Sequence, residues 1–596
     1  MKLLLVLAVV LLLRAPFLNQ AIQGDDIDYL AGAEHAQIDP AHPNHVRYVF
    51  LGNLVDMQGH PHPPLNVWFL GLLLAAMGDI REVPFHAAYI VFSAIAAVAM
   101  WSLARRFSPH PLWATLLFLA TPAFVVNGNS FESDVPFLAF WMASAALFVA
   151  GRYAPAAVAL ALASLAAFQA IFLTPILAVY IWLFARRSRA AWAAAMVPPL
   201  AIAAWQLYEF CSTGRLPASV LTGYLQSYGF EALAHKLSNA LALSVHACWL
   251  VFPLLLPPAF LLSRKRRDPD TLFLASWILI FFAGALAIFF AGSARYLLPM
   301  AAPVALLVSR LSPGWLATGF TAQMILSVSL AIVNYQHWDG YRSFAAALKP
   351  QVQGKRLWIN SQWGLRYYLE AEGGIPLLNE QAIRPGDVVV STDLSYRAHF
   401  TTGGGALTPI AQREIRASLP LRLFALHTRS AYSALDRGYL PFDISTGPID
   451  RVRAEMVVER RPTLEYLPMS APEADQQLVS GVYALEDNRF RWTAGQAVIL
   501  LKSPAEAMPL RAVFTIHEAS PGRRITLLLD GKEVAARTYP TPGAYTLESP
   551  DQRTLNPTAT LTIVVDKTFS VPGDGRELGI VLTEAGFLRP SLQNHF

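Results

Sequence analysis

The chain has 596 residues, of which 54% are hydrophobic and 15% charged, and its mean hydropathy is +0.39. Soluble domains carry roughly 25% charge, so these values exclude an ordinary soluble enzyme and point to a membrane protein. The net charge of +5 does not indicate nucleic acid, because the basic residues gather in short turns between apolar runs instead of lining one face.

The first apolar run covers 2–18 and is followed by Gly24-Asp25-Asp26-Ile27-Asp28-Tyr29. At the centre of a bilayer each aspartate would cost roughly 2.5 to 3.5 kcal/mol, so this acidic cluster belongs in the interface or in water. The opening run also fits a cleaved signal peptide. A retained helix is the expectation, because Arg14-Ala15-Pro16-Phe17-Leu18 offers no small-residue cleavage site. Further along this loop, His60-Pro61-His62-Pro63-Pro64-Leu65 precedes an apolar stretch at 66–77 that is too short to span. Proline starts a helix more readily than it continues one, so Pro63 and Pro64 predict a helix lying along or dipping into the outer surface. His35, His42, His45, His60 and His62 show no HExxH or other ligand spacing and read as a polar loop instead of a metal site.

Further apolar runs follow at 83–104, 112–126, 135–150, 154–167, 170–185, 190–209, 237–262, 271–291, 296–309 and 315–333, which with the first predict about 11 transmembrane helices. Arg105 and Arg106, Arg152, Arg186 to Arg189, Arg264 to Arg267 and Arg310 occupy alternate turns, which the positive-inside rule assigns to the cytoplasm. The loops with Asp25, Asp26 and Asp28, with Glu132 and Asp134, the stretch 212–236, and Arg295 then face outward, as does everything after Tyr335. Cys211 and Cys248 lie in or beside apolar segments, with no CxxC or disulfide framework, which argues against thiol redox or zinc chemistry.

After residue 335 the sequence turns polar and rich in turns, which predicts a membrane unit at 1–335 and two aqueous units. In 341–470, strands at 355–360 and 387–391 alternate with a helical stretch at 364–372, the pattern of a small α/β domain. In 476–596, strands at 497–502, 511–516, 524–529, 558–565 and 578–582 alternate with Gly, Pro and Asp turns, which predicts a β-sandwich. On pattern this last unit resembles jelly-roll, carbohydrate-binding-like domains. Trp492 is open to two readings, a platform for a sugar ring or a core residue.

The outer Asp25-Asp26 pair with Tyr29, the His62-Pro63-Pro64-Leu65 segment, Ser133-Asp134-Val135-Pro136, Phe168-Gln169-Ala170 and Arg295-Tyr296-Leu297-Leu298-Pro299 occur in order over the first 335 residues. Together they resemble the GT-C superfamily of polyprenyl-phosphate-sugar-dependent glycosyltransferases, in particular the dolichyl/polyprenyl-phosphate-mannose protein mannosyltransferase-like proteins and the bacterial lipid A aminoarabinose transferases. The resemblance implies a multi-pass protein of the bacterial inner membrane that uses a polyprenyl-phosphate-linked sugar donor. Its acceptor would be a hydroxyl of a lipid, glycan or protein, and transfer would occur with inversion on the periplasmic face. It leaves a divalent metal open and implies no other cofactor. Asp25 and Asp26 would be catalytic, and Tyr29, His62, Asp134, Gln169, Arg295 and Tyr296 would bind substrate. The chain departs from the family where Asp25-Asp26 replaces Asp-Glu and where Gln169 replaces a lysine.

The residue types suit that chemistry. A carboxylate takes the proton of the attacking hydroxyl, and a guanidinium stabilises the charge gathering on the departing phosphate. Each residue also has a plainer reading. The aspartates can cap helices, and Arg295 can anchor the interface through its charged end. A non-catalytic protein that binds or moves lipid-linked glycans is the alternative. Transporters, however, place ionisable groups near the bilayer midplane, whereas these carboxylates lie in outer loops.

Overall fold

The computed structural model describes residues 1–57, 62–219, 231–264, 268–289, 292–430, 438–459, 462–571 and 574–588. Lys265, Arg266, Arg267 and His60, and residues 220–230 of the expected outer loop 212–236, lie outside them. Among the described residues five helices are long and apolar enough to cross a membrane: Glu82–Phe107, Phe168–Ala185, Arg189–Thr213, Pro269–Ile288 and Pro313–Val352. The pair Pro111–Leu119 and Pro122–Asn129, bent by 62°, makes a sixth if counted as one span. The other expected spans are shorter apolar helices, among them α1 (Lys2–Arg14), Asp134–Val149, Tyr153–Ala166 and Arg295–Val308. The run at 237–262 is divided between Glu231–Ala247 and Leu256–Arg264. Leu4, Leu12, Leu200, Leu279 and Ile325 stand exposed on these helices, an apolar outer surface of the kind that marks contact with lipid.

Local chemistry sets the breaks. Pro122 cannot donate to the preceding turn, so the chain bends after Pro111–Leu119. The carbonyl freed at Ala120 accepts the Ser327 hydroxyl at 2.6 Å, and Thr121 donates to the Leu250 carbonyl at 3.1 Å. Arg14, fully buried at the end of α1, donates to the carbonyls of Phe124 at 2.7 Å and Val125 at 2.9 Å and to Ser93 at 3.0 Å. A buried guanidinium is tolerated there because carbonyls and a hydroxyl take its protons. In the outer loop, α2 (Asp26–His35) follows Asp25, and α3 (Leu65–Met77) begins directly after Pro64 and ends at Gly78, whose φ of 74° suits a helix stop. The hairpin Arg47–Phe50 with Asn53–Asp56 turns at Leu51 and Gly52, both with positive φ.

Helix α4 (Glu82–Phe107) forms much of the membrane core with α1 and with α5 (Asp134–Val149). The last apolar helix, α6 (Pro313–Val352), runs for 40 residues, unbroken through 335–341. Its final turns carry Tyr341, Phe344, Leu348 and Val352 into the core of the α/β unit, against Leu357, Ile359 and Val390. That unit has a five-stranded mixed sheet, in order Ile375–Pro376, Leu357–Asn360, Val388–Thr392, Asp450–Glu459 and Gly405–Ile415. The first three strands are parallel and the last two antiparallel. Helix α7 (Trp363–Ala371) packs beside it.

The C-terminal unit corrects the expectation of a β-sandwich. One nine-stranded sheet is formed, in order Lys532–Tyr539, Arg523–Leu529, Thr558–Val565, Phe490–Lys502, Val581–Phe587, Met508–Ile516 and Gly543–Gln552, with two short flanking pairings. Register shifts at Pro509/Arg511, Val513/Phe514 and Leu527/Leu528 bend the strands. The sheet curls until its edge strands meet, where the rings of Tyr539 and Tyr545 lie 4.5 Å apart, close to a barrel. Trp492 is buried against Phe569 and His517, the core reading. The α/β unit and the C-terminal unit join at His399, whose ring faces Glu380 at 3.1 Å and Asp475 at 3.7 Å, with Arg491 2.9 Å from Asp475.

Candidate active site

Three loop segments meet at one end of the helices. The first is the turn into α2. Gly24 has φ +45°, and a Cβ there would lie 2.7 Å from Glu132 Oε1, so glycine meets both the backbone and the space requirement. The neighbouring Asp25 amide donates to the same Glu132 oxygen at 3.2 Å. Successive residues entering a helix point about 100° apart, and here they part company.

Asp26 turns inward and is fully buried. Its Oδ1 accepts Ser130 Oγ and the Phe131 amide, both at 2.7 Å, and its Oδ2 accepts the Gln23 amide at 3.1 Å. Burial pushes its pKa up to about 7, against the lowering effect of the Ser130, Gln23 and Phe131 hydrogen bonds. Its oxygens staple two loops together. Asp25 turns outward, with 38% of its side chain exposed, and its Oδ2 lies 3.4 Å from Arg295 Nη2.

Arg295, in the first turn of the helix Arg295–Val308, is the hub. Its guanidinium is ion-paired with Glu132, lies 3.6 Å from Asp134 and sits 5.3 Å from the centre of the Tyr296 ring. Glu132 and Asp134 are mostly buried, so three carboxylates surround one guanidinium where water screens them little. Sequence reasoning put Glu132 on the outer side without giving it a role at the site. The available signal was its position two residues before Asp134 in a short loop of an otherwise apolar chain.

Beside Arg295 lies a small cleft lined by His62, Asp134, Gln169, Tyr296 and the apolar Phe137, Ala167, Leu298 and Pro299. Gln169 stands in the turn Phe168–Phe172, and its Oε1 is buried with no hydrogen-bond partner. Tyr29 is buried below, its ring 6.0 Å from His62, in the core shared by α2, α3 and α4. Of the eight sequence-predicted residues, His62, Asp134, Gln169, Arg295 and Tyr296 line this cavity and Asp25 reaches it through Arg295. Asp26 and Tyr29 support it from beneath. Among the described residues no group of three or more His, Cys, Asp or Glu side chains is arranged to hold a metal ion.

Fold and site define a helical protein with several candidate membrane spans, a β-rich C-terminal region, and a buried guanidinium–carboxylate centre formed by loops at one end of the helices. No protein-family model matches the chain, and no curated protein matches it. Among solved structures it is similar to ArnT from Cupriavidus metallidurans bound to undecaprenyl phosphate, with a TM-score of 0.45 and 13% identity over 68% of this chain and 96% of that one. The apo state of the same protein gives 0.42 and 12% over 68% and 95%.

Proposed function

We propose that the protein is a membrane glycosyltransferase of the bacterial inner membrane. It moves a sugar from a polyprenyl-phosphate-linked donor to an acceptor hydroxyl on the periplasmic face, with inversion. The observation that carries this reading is the meeting of Asp25, Asp134 and Arg295 with His62, Gln169 and Tyr296 about one cavity at the ends of the helices. The sequence resemblance of the same residues supports it.

In this reading the acceptor oxygen attacks the anomeric carbon, Asp25 takes its proton, and the bond from that carbon to the phosphate oxygen breaks with its electron pair going to the phosphate. Arg295 faces the growing charge, and the first turn of its helix adds amide dipoles of the same sense. In the empty site Arg295 Nη2 faces Asp25 at 3.4 Å. A donor phosphate that takes this N–H releases Asp25 as a free base, so donor binding prepares the proton acceptor. Asp26 holds the loop in place.

The test is transfer of a radiolabelled sugar from a synthetic polyprenyl-phosphate donor to envelope extract by the purified protein in vesicles. Transfer by the wild type, lost in Arg295→Ala and Asp25→Asn, supports the reading. Donor binding without transfer under any acceptor would establish the non-catalytic alternative.

A further inference from the structure

We propose that Tyr368, on α7 of the aqueous α/β unit, is a positioning residue for the loop that bears Asp25, so that this unit is a working part of the membrane site. The inference rests on the glycosyl-transfer reading above for its effect on turnover, but not for the contact itself.

Between the short 3-10 turn Ala15–Phe17 and α2 the chain has no helix or strand to satisfy its amides, and a buried N–H without a partner is costly. The amide of the fully buried Ile22 donates to Tyr368 Oη at 2.8 Å. The same hydroxyl donates to Glu82, at the start of α4, and Glu82 is held by Arg342 Nη1 at 2.5 Å. One phenolic oxygen therefore bridges the loop to the membrane helix from the aqueous side. One turn earlier on α7, Gly364 lies so close that a Cβ would come within 2.0 Å of the Ile22 carbonyl. The next residue, Gln23, is held from α6, where Asn334 Nδ2 donates to Gln23 Oε1 at 2.5 Å and is itself oriented by Trp338 at 2.9 Å. The Gln23 amide then passes the constraint to Asp26 at 3.1 Å. Ile22 and Gln23, immediately before Gly24 and Asp25, are thus fixed by two aqueous-side helices, and an error there carries straight to the carboxylate.

Tyr368→Phe deletes one oxygen and leaves Glu82 paired with Arg342, so the fold is retained. Tyr367→Phe, on the adjacent face of α7, is the control. In the full-length protein in vesicles, amide exchange at Ile22 should accelerate about five- to tenfold in Tyr368→Phe, the change expected for one lost hydrogen bond. The kcat for transfer should fall about ten- to a hundredfold, as for a slight misplacement of reacting groups, with the donor KM unchanged because the Arg295 cavity is untouched. Tyr367→Phe should leave both readouts as in the wild type. Unaltered exchange at Ile22, or unaltered kcat with accelerated exchange, would overturn the proposal, as would a fall in kcat matched by a rise in KM and a lowered melting temperature, which marks general loosening. If the wild type transfers no sugar, the functional reading fails, and the exchange measurement alone decides whether Tyr368 holds the loop.

Discussion

Asp25 and Asp26 are neighbours in sequence with opposite surroundings, and a pair of isosteric substitutions separates their roles. Asp25 is partly exposed and its side chain meets Arg295 at 3.4 Å, while Glu132 and Asp134 keep that guanidinium paired without it. Asp25→Asn should therefore leave thermal unfolding nearly unchanged. Losing a general base removes about 10² to 10⁴ from turnover, which at about 1.36 kcal/mol per tenfold is about 2.7 to 5.4 kcal/mol of barrier. Asp26→Asn reverses the pattern. Its new amide would keep the acceptor for Ser130 and Phe131 but set an N–H against the Gln23 N–H. One buried hydrogen bond is lost and a donor stranded, for about 1 to 3 kcal/mol of stability. Turnover of whatever remains folded should stay within about tenfold of the wild type, since that carboxylate touches no reacting atom. The assay is steady-state transfer from a polyprenyl-phosphate-linked sugar alongside thermal unfolding of the same preparations. Full turnover in Asp25→Asn refutes the assignment of the base. A stable but inactive Asp26→Asn protein would move that role to Asp26.

Gln169→Lys adds a cation beside Arg295 at a buried oxygen without a partner, and should lower the donor KM about tenfold through a charge-assisted contact to phosphate, measured by transfer kinetics. Gly364→Ala forces a methyl against the Ile22 carbonyl and should destabilise the protein by about 1 to 3 kcal/mol in thermal unfolding. Burial alone would lower the His399 pKa, but hydrogen bonds to Asp475 and Glu380 outweigh it and raise it to about 9. The unfolded value is about 6.5, so the stability from this junction is fully present below about pH 6.5 and is lost as pH rises through about 9. Unfolding temperatures from pH 6 to 10 should show that decline in the wild type and not in His399→Gln. With Cys211 and Cys248, both exposed, replaced by serine, an impermeant maleimide applied from the periplasmic side should label Leu555→Cys, 96% exposed, and not Arg105→Cys.

The meeting of Asp25, Asp134 and Arg295 was legible because charge is scarce in an apolar chain, and the positive-inside pattern assigns these residues to one side. Which of two adjacent aspartates faces the cavity was not, since it depends on Ser130 and the Phe131 amide, more than a hundred residues away. The start of α3 after Pro64 followed from proline geometry. The number of long spans did not follow from hydropathy, because a window cannot register the bend at Pro122 or the division of 237–262 into two helices. Alternating strands at 497–565 are equally compatible with two stacked sheets or one curled sheet, and the difference lies in the bulges. At 335 the fall in hydropathy marked the end of the apolar run but not of the helix. Trp338, Tyr341, Phe344 and Leu348 recur at helical spacing beyond it, and that stripe was the available signal.

The unbroken helix Pro313–Val352, about 60 Å long at 1.5 Å per residue, bears on how the molecule can be taken apart. A secreted fragment beginning at 341 would sever a hydrogen-bond ladder mid-helix and lose Trp338, which sits in the core of the α/β unit. It would also lack Asn334 and Arg342's partner Glu82. Work on the aqueous portion therefore belongs in the intact polypeptide. The α/β unit and the last apolar helix thus share one continuous element, and the interior of the unit is complete only with residues of that helix in place.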